Sequence, residues 1–192
     1  YQPLNPFFRI FPGVQGSHGH MNPANRAHLG VLLAFTFIAL VVTWPLVISF
    51  HNGVPYGGDA FQFIWNGWWF TKAWHDPALT LWWTPYQYAQ VGASLSLHDL
   101  SPLNSFLMMI LNPLLGEFGS FDLLVILHYI LGAWGAYILS WYLTGNRSAS
   151  VIAGIIYGFS VHHAMHLSQL STASSEFLSL IHISEPTRLR RI

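Results

Sequence analysis

Asp59 is the first side chain in this sequence whose type and setting could support chemistry. It is a carboxylate at the head of an aromatic-rich run, VPYGGDAFQFIWNGWWF (residues 54–70). A carboxylate can accept a proton as a general base, or ligate a divalent cation. Asp59 can equally cap a helix, with Gln62 three residues later completing a capping box. The two roles are compatible, because a residue at a helix N-terminus can still present one oxygen outward.

A second polar cluster lies at SLHDLSPLN (residues 96–104). Ser101 is suited to the N-cap of a helix and Pro102 to its first helical position. That assignment leaves His98 and Asp99 without a structural role. A His-Asp pair at the mouth of a membrane segment can hold a cation or a phosphate-bearing substrate, so we treat both as candidate site residues.

The third cluster is VHHAMHLSQ (residues 161–169). On a helix, His163, His166 and Gln169 would form one polar stripe, with His162 beside it. Ionisable groups within a membrane span usually face a cavity or the bundle interior. The alternative is that the helix leaves the bilayer here and the histidines are interfacial. His128 stands alone in its predicted helix, so we expect it to be a core histidine bonded to a neighbouring carbonyl.

The composition predicts an integral membrane protein. Of 192 residues, 53% are hydrophobic and only 7% are charged, with a mean hydropathy of +0.42, whereas soluble domains carry roughly 25% charged residues. The formal net charge is zero, which gives no electrostatic basis for binding nucleic acid. The chain has no cysteine, which excludes disulfides, thiol nucleophiles and thiolate metal sites.

The predicted fold class is all-α integral membrane, with three or four transmembrane helices and an external loop. Apolar tracts at residues 29–50, 121–143 and 151–170 are long enough to span a bilayer. The tract at 102–115 is shorter, so it is a short span or a re-entrant segment. Arg9 and Arg26 place the N-terminus in the cytoplasm by the positive-inside rule and the loop 51–100 outside.

Within that loop, residues 57–75 are predicted to form an amphipathic helix in the membrane interface. Phe61, Ile64, Trp65 and Trp68 fall on one face; Asp59, Gln62 and Asn66 fall on another. Further tryptophans would extend the aromatic belt along the loop; they are Trp69, Trp74, Trp82 and Trp83.

We assign the membrane domain to residues 29–177. The segments at both ends of the chain are not expected to belong to it. Residues 1–28 form an N-terminal segment; residues 1–20 show no helical period and are expected to be disordered or non-native, and Met21 is a plausible true start. LSLIHISEPTR (residues 178–188) resembles the translated read-through of a sequencing-library adapter, so 178–192 is expected to be an artefactual tail. We therefore expect a truncated gene fragment.

Several motifs together resemble the N-terminal part of the polytopic GT-C-type glycosyltransferases, in particular a bacterial YfhO-like group of membrane proteins. The likeness covers about residues 25–177. It rests on a charge-free first span, PYGGD (55–59) with aromatics, HDLSPLN (98–104), LTGNRSASVIAGIIYGFS (143–160) and the histidine-rich end.

The resemblance implies sugar transfer from a polyprenyl-phosphate-linked donor, at the outer face of the bacterial cytoplasmic membrane and in contact with membrane lipid. Asp59 would be the catalytic base or, like Asp99, a ligand of a divalent cation. Many relatives carry a paired acidic motif, whereas Asp59 stands alone, and the fragment by itself is expected to be inactive. The residues expected to bind substrate are Gln62, Trp65, His98, Asp99, His163, His166 and Gln169.

Two other classes of function remain open. His128, His162, His163 and His166 lie on neighbouring predicted spans and could ligate haem, as in a haem- or quinone-binding redox subunit; a Soret band would identify it. The chain could also be a non-catalytic scaffold or flippase subunit, in which case Asp59→Asn would leave sugar transfer unchanged.

Overall fold

A computed structural model describes residues 23–50, 52–54, 58–88 and 91–174 of the chain. Within these ranges the protein is predominantly helical, with one small two-stranded sheet. The elements are α1 (Pro23–Val42), α2 (Trp44–Ile48), α3 (Asp59–His75), β1 (Trp83–Thr84), β2 (Ala93–Ser94), α4 (Pro102–Thr144), α5 (Arg147–Gly158) and α6 (Val161–Met165). The segment before Met21, residues 55–57 and the adapter-like tail lie outside the described residues.

Two helices of the described part, α1 and α4, are long and apolar enough to cross a membrane. The tract predicted as one span at 29–50 divides at Thr43, which separates α1 from α2. Pro45 accounts for the division, because its ring cannot donate the helical hydrogen bond and clashes with the preceding turn. The Thr43 hydroxyl donates to the Ala39 carbonyl at 2.7 Å and closes the end of α1.

Helix α4 is broken near its first third. It has 43 residues, and if straight it would extend about 65 Å at ~1.5 Å per residue, roughly twice the ~30 Å hydrocarbon core of a bilayer. Gly116 interrupts it with φ 69° and ψ 174°, in a region open to glycine but not to other L-residues. The break falls between the two tracts expected at 102–115 and 121–143.

Helices α4 and α5 form a tight antiparallel hairpin. Gly145, with φ 66°, ends α4, and its backbone N–H donates to the Trp141 carbonyl. Asn146 then begins α5, since its side-chain oxygen accepts from the Ala149 N–H at 3.1 Å. Small residues let the two helices approach closely: a Cβ on Gly158 would lie 2.4 Å from that of Ala133.

The structure does not place residues 151–170 in one helix, as the sequence had predicted. Helix α5 ends at Gly158, and Ser160 begins α6 by accepting from the His163 N–H at 3.3 Å. A serine in extended conformation at an N-cap starts a new helix because it satisfies one of the orphan N–H groups. At 12 residues, α5 is well short of the roughly 20 needed to span a bilayer.

Helix α3 is covered by protein on most of its circumference, which differs from the interfacial helix predicted for residues 57–75. Ala60, Phe63 and Ile64 join the main core with residues of α4, including Met108 and Phe121. On another side, Trp69 and Ala73 pack with Leu95 and Leu100 of the following loop. Phe61, predicted on the apolar face, is exposed, and Asn66, predicted on the polar face, is buried.

Candidate functional site

The Asp59 carboxylate reaches across the fold to a residue 110 positions away. Gly58 is the N-cap of α3 and makes no side-chain cap bond, so Asp59 is the first helical residue. The predicted capping box is therefore wrong: Asp59 Oδ2 instead accepts from Gln169 Nε2 at 2.6 Å. A carboxylate in a first turn is favoured by the helix dipole without capping. Asp59 is half-buried, so it remains open to solutes on one side.

His98 and Asp99 lie over the middle of α3, where Asn66 anchors both of them. Asn66 Nδ2 donates to the Asp99 carbonyl at 2.7 Å, and Asn66 Oδ1 lies 2.8 Å from His98 Nε2. The Asp99 carboxylate is exposed and accepts from the Ser171 hydroxyl at 2.5 Å. The prediction that Ser101 is an N-cap and Pro102 the first helical residue is confirmed in position.

Residues 169–174, which we call the strap, connect these pieces. Beyond the bonds from Gln169 and Ser171, the strap meets α4 through Asn104, whose Nδ2 lies 3.1 Å from the Leu170 carbonyl and 2.6 Å from Ser174 Oγ. Ser174 Oγ is also 3.0 Å from His128 Nε2. The strap thus brings Asp59, Asp99 and the start of α4 into one polar junction.

Apart from His98, the candidate histidines lie beside this junction, and His128 touches it through Ser174. His163 is buried beside Tyr129, with ring centroids 5.3 Å apart, and His166 Nδ1 donates to the His162 carbonyl at 2.8 Å. Because α6 ends at Met165, His163, His166 and Gln169 do not form the predicted stripe. His128 is a core histidine, as predicted, since its Nδ1 donates to the Leu124 carbonyl at 2.7 Å.

Three of these histidines share a small cavity. His128, His163 and His166 line a space of about 10 Å³ together with Tyr129 and neighbouring apolar residues. That volume holds about one water molecule, so the folded chain offers no room there for a haem.

Trp65 contributes to the junction as a packed ring rather than as an open platform. It is half-buried, stacks on Trp69 at 6.0 Å with planes 7° apart, and meets the His98 ring edge-on at 6.0 Å. Trp69 is fully buried, so it is not part of an aromatic belt; Trp74 and Trp82 are more than half exposed. The Gln62 side chain forms no hydrogen bond to another described residue.

The chemistry available at the junction is that of carboxylates surrounded by neutral donors. Asp59 and Asp99 accept from an amide and a hydroxyl, which leaves each carboxylate further lone pairs for a proton donor or a cation. Among the described residues, no three His, Asp or Glu side chains converge closely enough to hold a metal ion.

Sequence reasoning missed the residues that assemble the junction, Asn104, Ser171 and Ser174, and gave Asn66 no site role. A usable signal existed for Asn66 and Asn104, because an amide within an otherwise apolar helix needs buried hydrogen-bond partners. Comparison with protein-family models, curated proteins and solved structures finds no match for this chain.

Proposed function

We propose that this chain belongs to a multi-pass glycosyltransferase of the bacterial cytoplasmic membrane, which moves a sugar from a polyprenyl-phosphate donor at the outer face. Asp59 is the proposed base. The acceptor hydroxyl gives its proton to the carboxylate while its oxygen bonds to the anomeric carbon. The bond from that carbon to the phosphate oxygen breaks, and polyprenyl phosphate leaves.

The convergence of Asp59 and Gln169 is the observation that carries this proposal. A half-buried carboxylate held at 2.6 Å by an amide donor from a distant segment is positioned rigidly, and general bases need that fixed geometry. Gln169 occupies one carboxylate oxygen with a neutral donor, which is also the chemistry of a sugar hydroxyl. The second oxygen is the one we assign to the acceptor.

The surroundings of the junction suit a lipid-linked sugar. The junction is built at the ends of α3 and α4, and α4 is one of the two helices apolar enough to cross a membrane. Trp82, Trp83 and Tyr86 expose about half of their surfaces on the adjoining loop. Amphipathic aromatic rings of this kind concentrate at membrane interfaces, where a lipid-linked sugar would present its headgroup.

The test compares two carboxylates at opposite ends of the same helix. Because the fragment by itself is expected to be inactive, membranes containing the full-length protein to which we propose this chain belongs are supplied with a panel of radiolabelled polyprenyl-phosphate sugars, and label transferred to acceptor is counted. Asp59→Asn should lower transfer by at least about a hundredfold, the usual contribution of a general base. Asp76→Asn is the control, because Asp76 follows the last residue of α3 and only accepts a local bond from the Ala78 N–H.

Equal transfer by Asp59→Asn and the unchanged protein would contradict the base role and favour the scaffold or flippase alternative. A Soret band in the purified protein would also contradict the proposal, because it would indicate the haem-binding alternative.

A further inference from the structure

Asn66 is a fully buried amide inside the aromatic helix α3. Its two polar atoms both point to the loop that carries His98 and Asp99, at 2.8 Å and 2.7 Å respectively. A buried amide without partners would destabilise the fold, so the two bonds account for its presence. The same two bonds also have a consequence for the neighbouring His98 ring.

The two bonds of Asn66 determine where the His98 proton is. The Asp99 carbonyl can only accept, so the Asn66 atom facing it must be the NH₂ group. The other Asn66 atom is then the oxygen, which can only accept. His98 Nε2 must therefore be the donor and carry a proton. In the neutral ring a proton on Nε2 leaves a lone pair on Nδ1.

The remaining contacts hold the His98 ring without using Nδ1. Trp65 meets the ring edge-on at 6.0 Å, and Trp65 is itself stacked on the fully buried Trp69. The His98 backbone is fixed as well: its N–H donates to the Leu95 carbonyl, and its carbonyl accepts from the Leu100 N–H. Within the part of the chain that the structure describes, Nδ1 hydrogen-bonds to nothing, and His98 is only partly buried.

We propose that Asn66 is a positioning residue that holds His98 with its proton on Nε2, so that the Nδ1 lone pair is presented to the substrate. A neutral Nδ1 accepts a hydrogen bond from a sugar hydroxyl and cannot donate one to a phosphate oxygen. The proposal assigns His98 to the hydroxyl-bearing part of the substrate rather than to its phosphate. The substrate assignment rests on the proposed glycosyltransferase function; the state of the ring does not.

Nitrogen NMR of histidine-labelled protein in nanodiscs tests the position of the proton directly. The chain has 11 histidines, so the His98→Gln variant identifies the His98 signals by their loss. The spectrum is recorded at alkaline pH, where imidazole is ordinarily neutral. We expect one His98 tautomer, protonated at Nε2. A proton on Nδ1 in the unchanged protein would overturn the proposal, whatever the variants show.

Three variants separate positioning from general stability. Asn66→Leu removes both bonds and should let His98 exchange between tautomers. Asn66→Asp keeps an oxygen for Nε2–H and should retain the Nε2 tautomer. Thr71→Val is the matched control, because Thr71 is also on α3 but donates only to the Gly67 carbonyl of its own helix. A His98 tautomer unchanged in Asn66→Leu would contradict the positioning role.

The kinetic arm uses the membrane transfer assay. Loss of the positioned acceptor should raise KM for the acceptor sugar about fivefold in Asn66→Leu, as expected for one hydrogen bond of about 1 kcal/mol, with a smaller change in kcat. An unchanged KM in that variant would contradict the hydroxyl assignment. If no membrane preparation transfers sugar, the glycosyltransferase proposal fails, and the NMR result still decides the role of Asn66.

Discussion

Helix α4 meets two of its neighbours by different kinds of contact: the strap by hydrogen bonds from Asn104, and α5 by close packing at Ala133. Before the break at Gly116, Asn104 is buried and bonds to residues more than 60 positions away. After the break, α4 meets α5 by shape alone at Ala133, where Gly154 and Gly158 bring the helices together. Directional bonds tie Asn104 to particular partners, whereas close packing at Ala133 only requires small residues. The hydrogen-bonded contact is therefore where we place function.

The largest effect on stability should come from adding a methyl group at the close-packed contact between α4 and α5. In Gly158→Ala the new Cβ would lie 2.6–2.7 Å from backbone atoms of Ala133, which cannot move without shifting α4. We expect destabilisation of about 3 kcal/mol, the upper part of the range for overpacking, measured by thermal unfolding in detergent.

Gly30→Ala is the control for this variant, since nothing lies within 4 Å of a Cβ there. It should be neutral or stabilising by up to about 1 kcal/mol through helix propensity. Equal behaviour of the two alanine variants would show that the α4–α5 contact is not close-packed.

A somewhat smaller effect should follow from removing the buried amide of the hydrogen-bonded contact. Asn104→Leu leaves the Leu170 carbonyl and Ser174 without this donor, so we expect a loss of about 2 kcal/mol, within the cost of an unsatisfied buried group. Unfolding is measured as above, and Asn52→Leu at an exposed position serves as control. A change in Asn104→Leu no larger than in the control would mean that the polar junction adds nothing to stability.

The smallest effect on stability should come from the strap itself. Ser171→Ala removes one hydroxyl donor to an exposed carboxylate, so the unfolding free energy should fall by less than about 1 kcal/mol. Local opening should still be detected, as hydrogen exchange at residues 170–173 rises about fivefold for a lost bond of that size.

Ser148 is exposed, and Ser148→Ala should change neither the unfolding free energy nor the hydrogen exchange at residues 170–173. If Ser171→Ala destabilised the whole fold as much as Gly158→Ala, the contrast between the two contacts of α4 would not hold.

Local features of the sequence predicted local structure. The polar start and aromatic run of α3, and Ser101 with Pro102 before α4, predicted the first residue of each helix to within two residues. The division at Ser160 was also open to prediction, because a serine before VHHAM is a typical N-cap. We followed the apolar run instead and joined two helices into one span.

The junction could not be predicted in the same way. Asp59, Asp99 and Gln169 were each candidates by type, but their pairing depends on how α3, α4 and the strap pack, and no local pattern encodes that. The break in α4 falls between two tracts that the sequence separated, but a glycine within an apolar run does not by itself indicate a positive φ. Residue type identified the two carboxylates and Gln169 but not the residues that join them, and tertiary packing determined their partners.

The separation of 110 residues between Asp59 and Gln169 also determines when the two side chains can meet during synthesis. At a synthesis rate of about 5–20 residues per second, Asp59 is made roughly 5–20 s before the amide that will bind it. The pairing of Asp59 with Gln169 can therefore form only after all the described helices have been made.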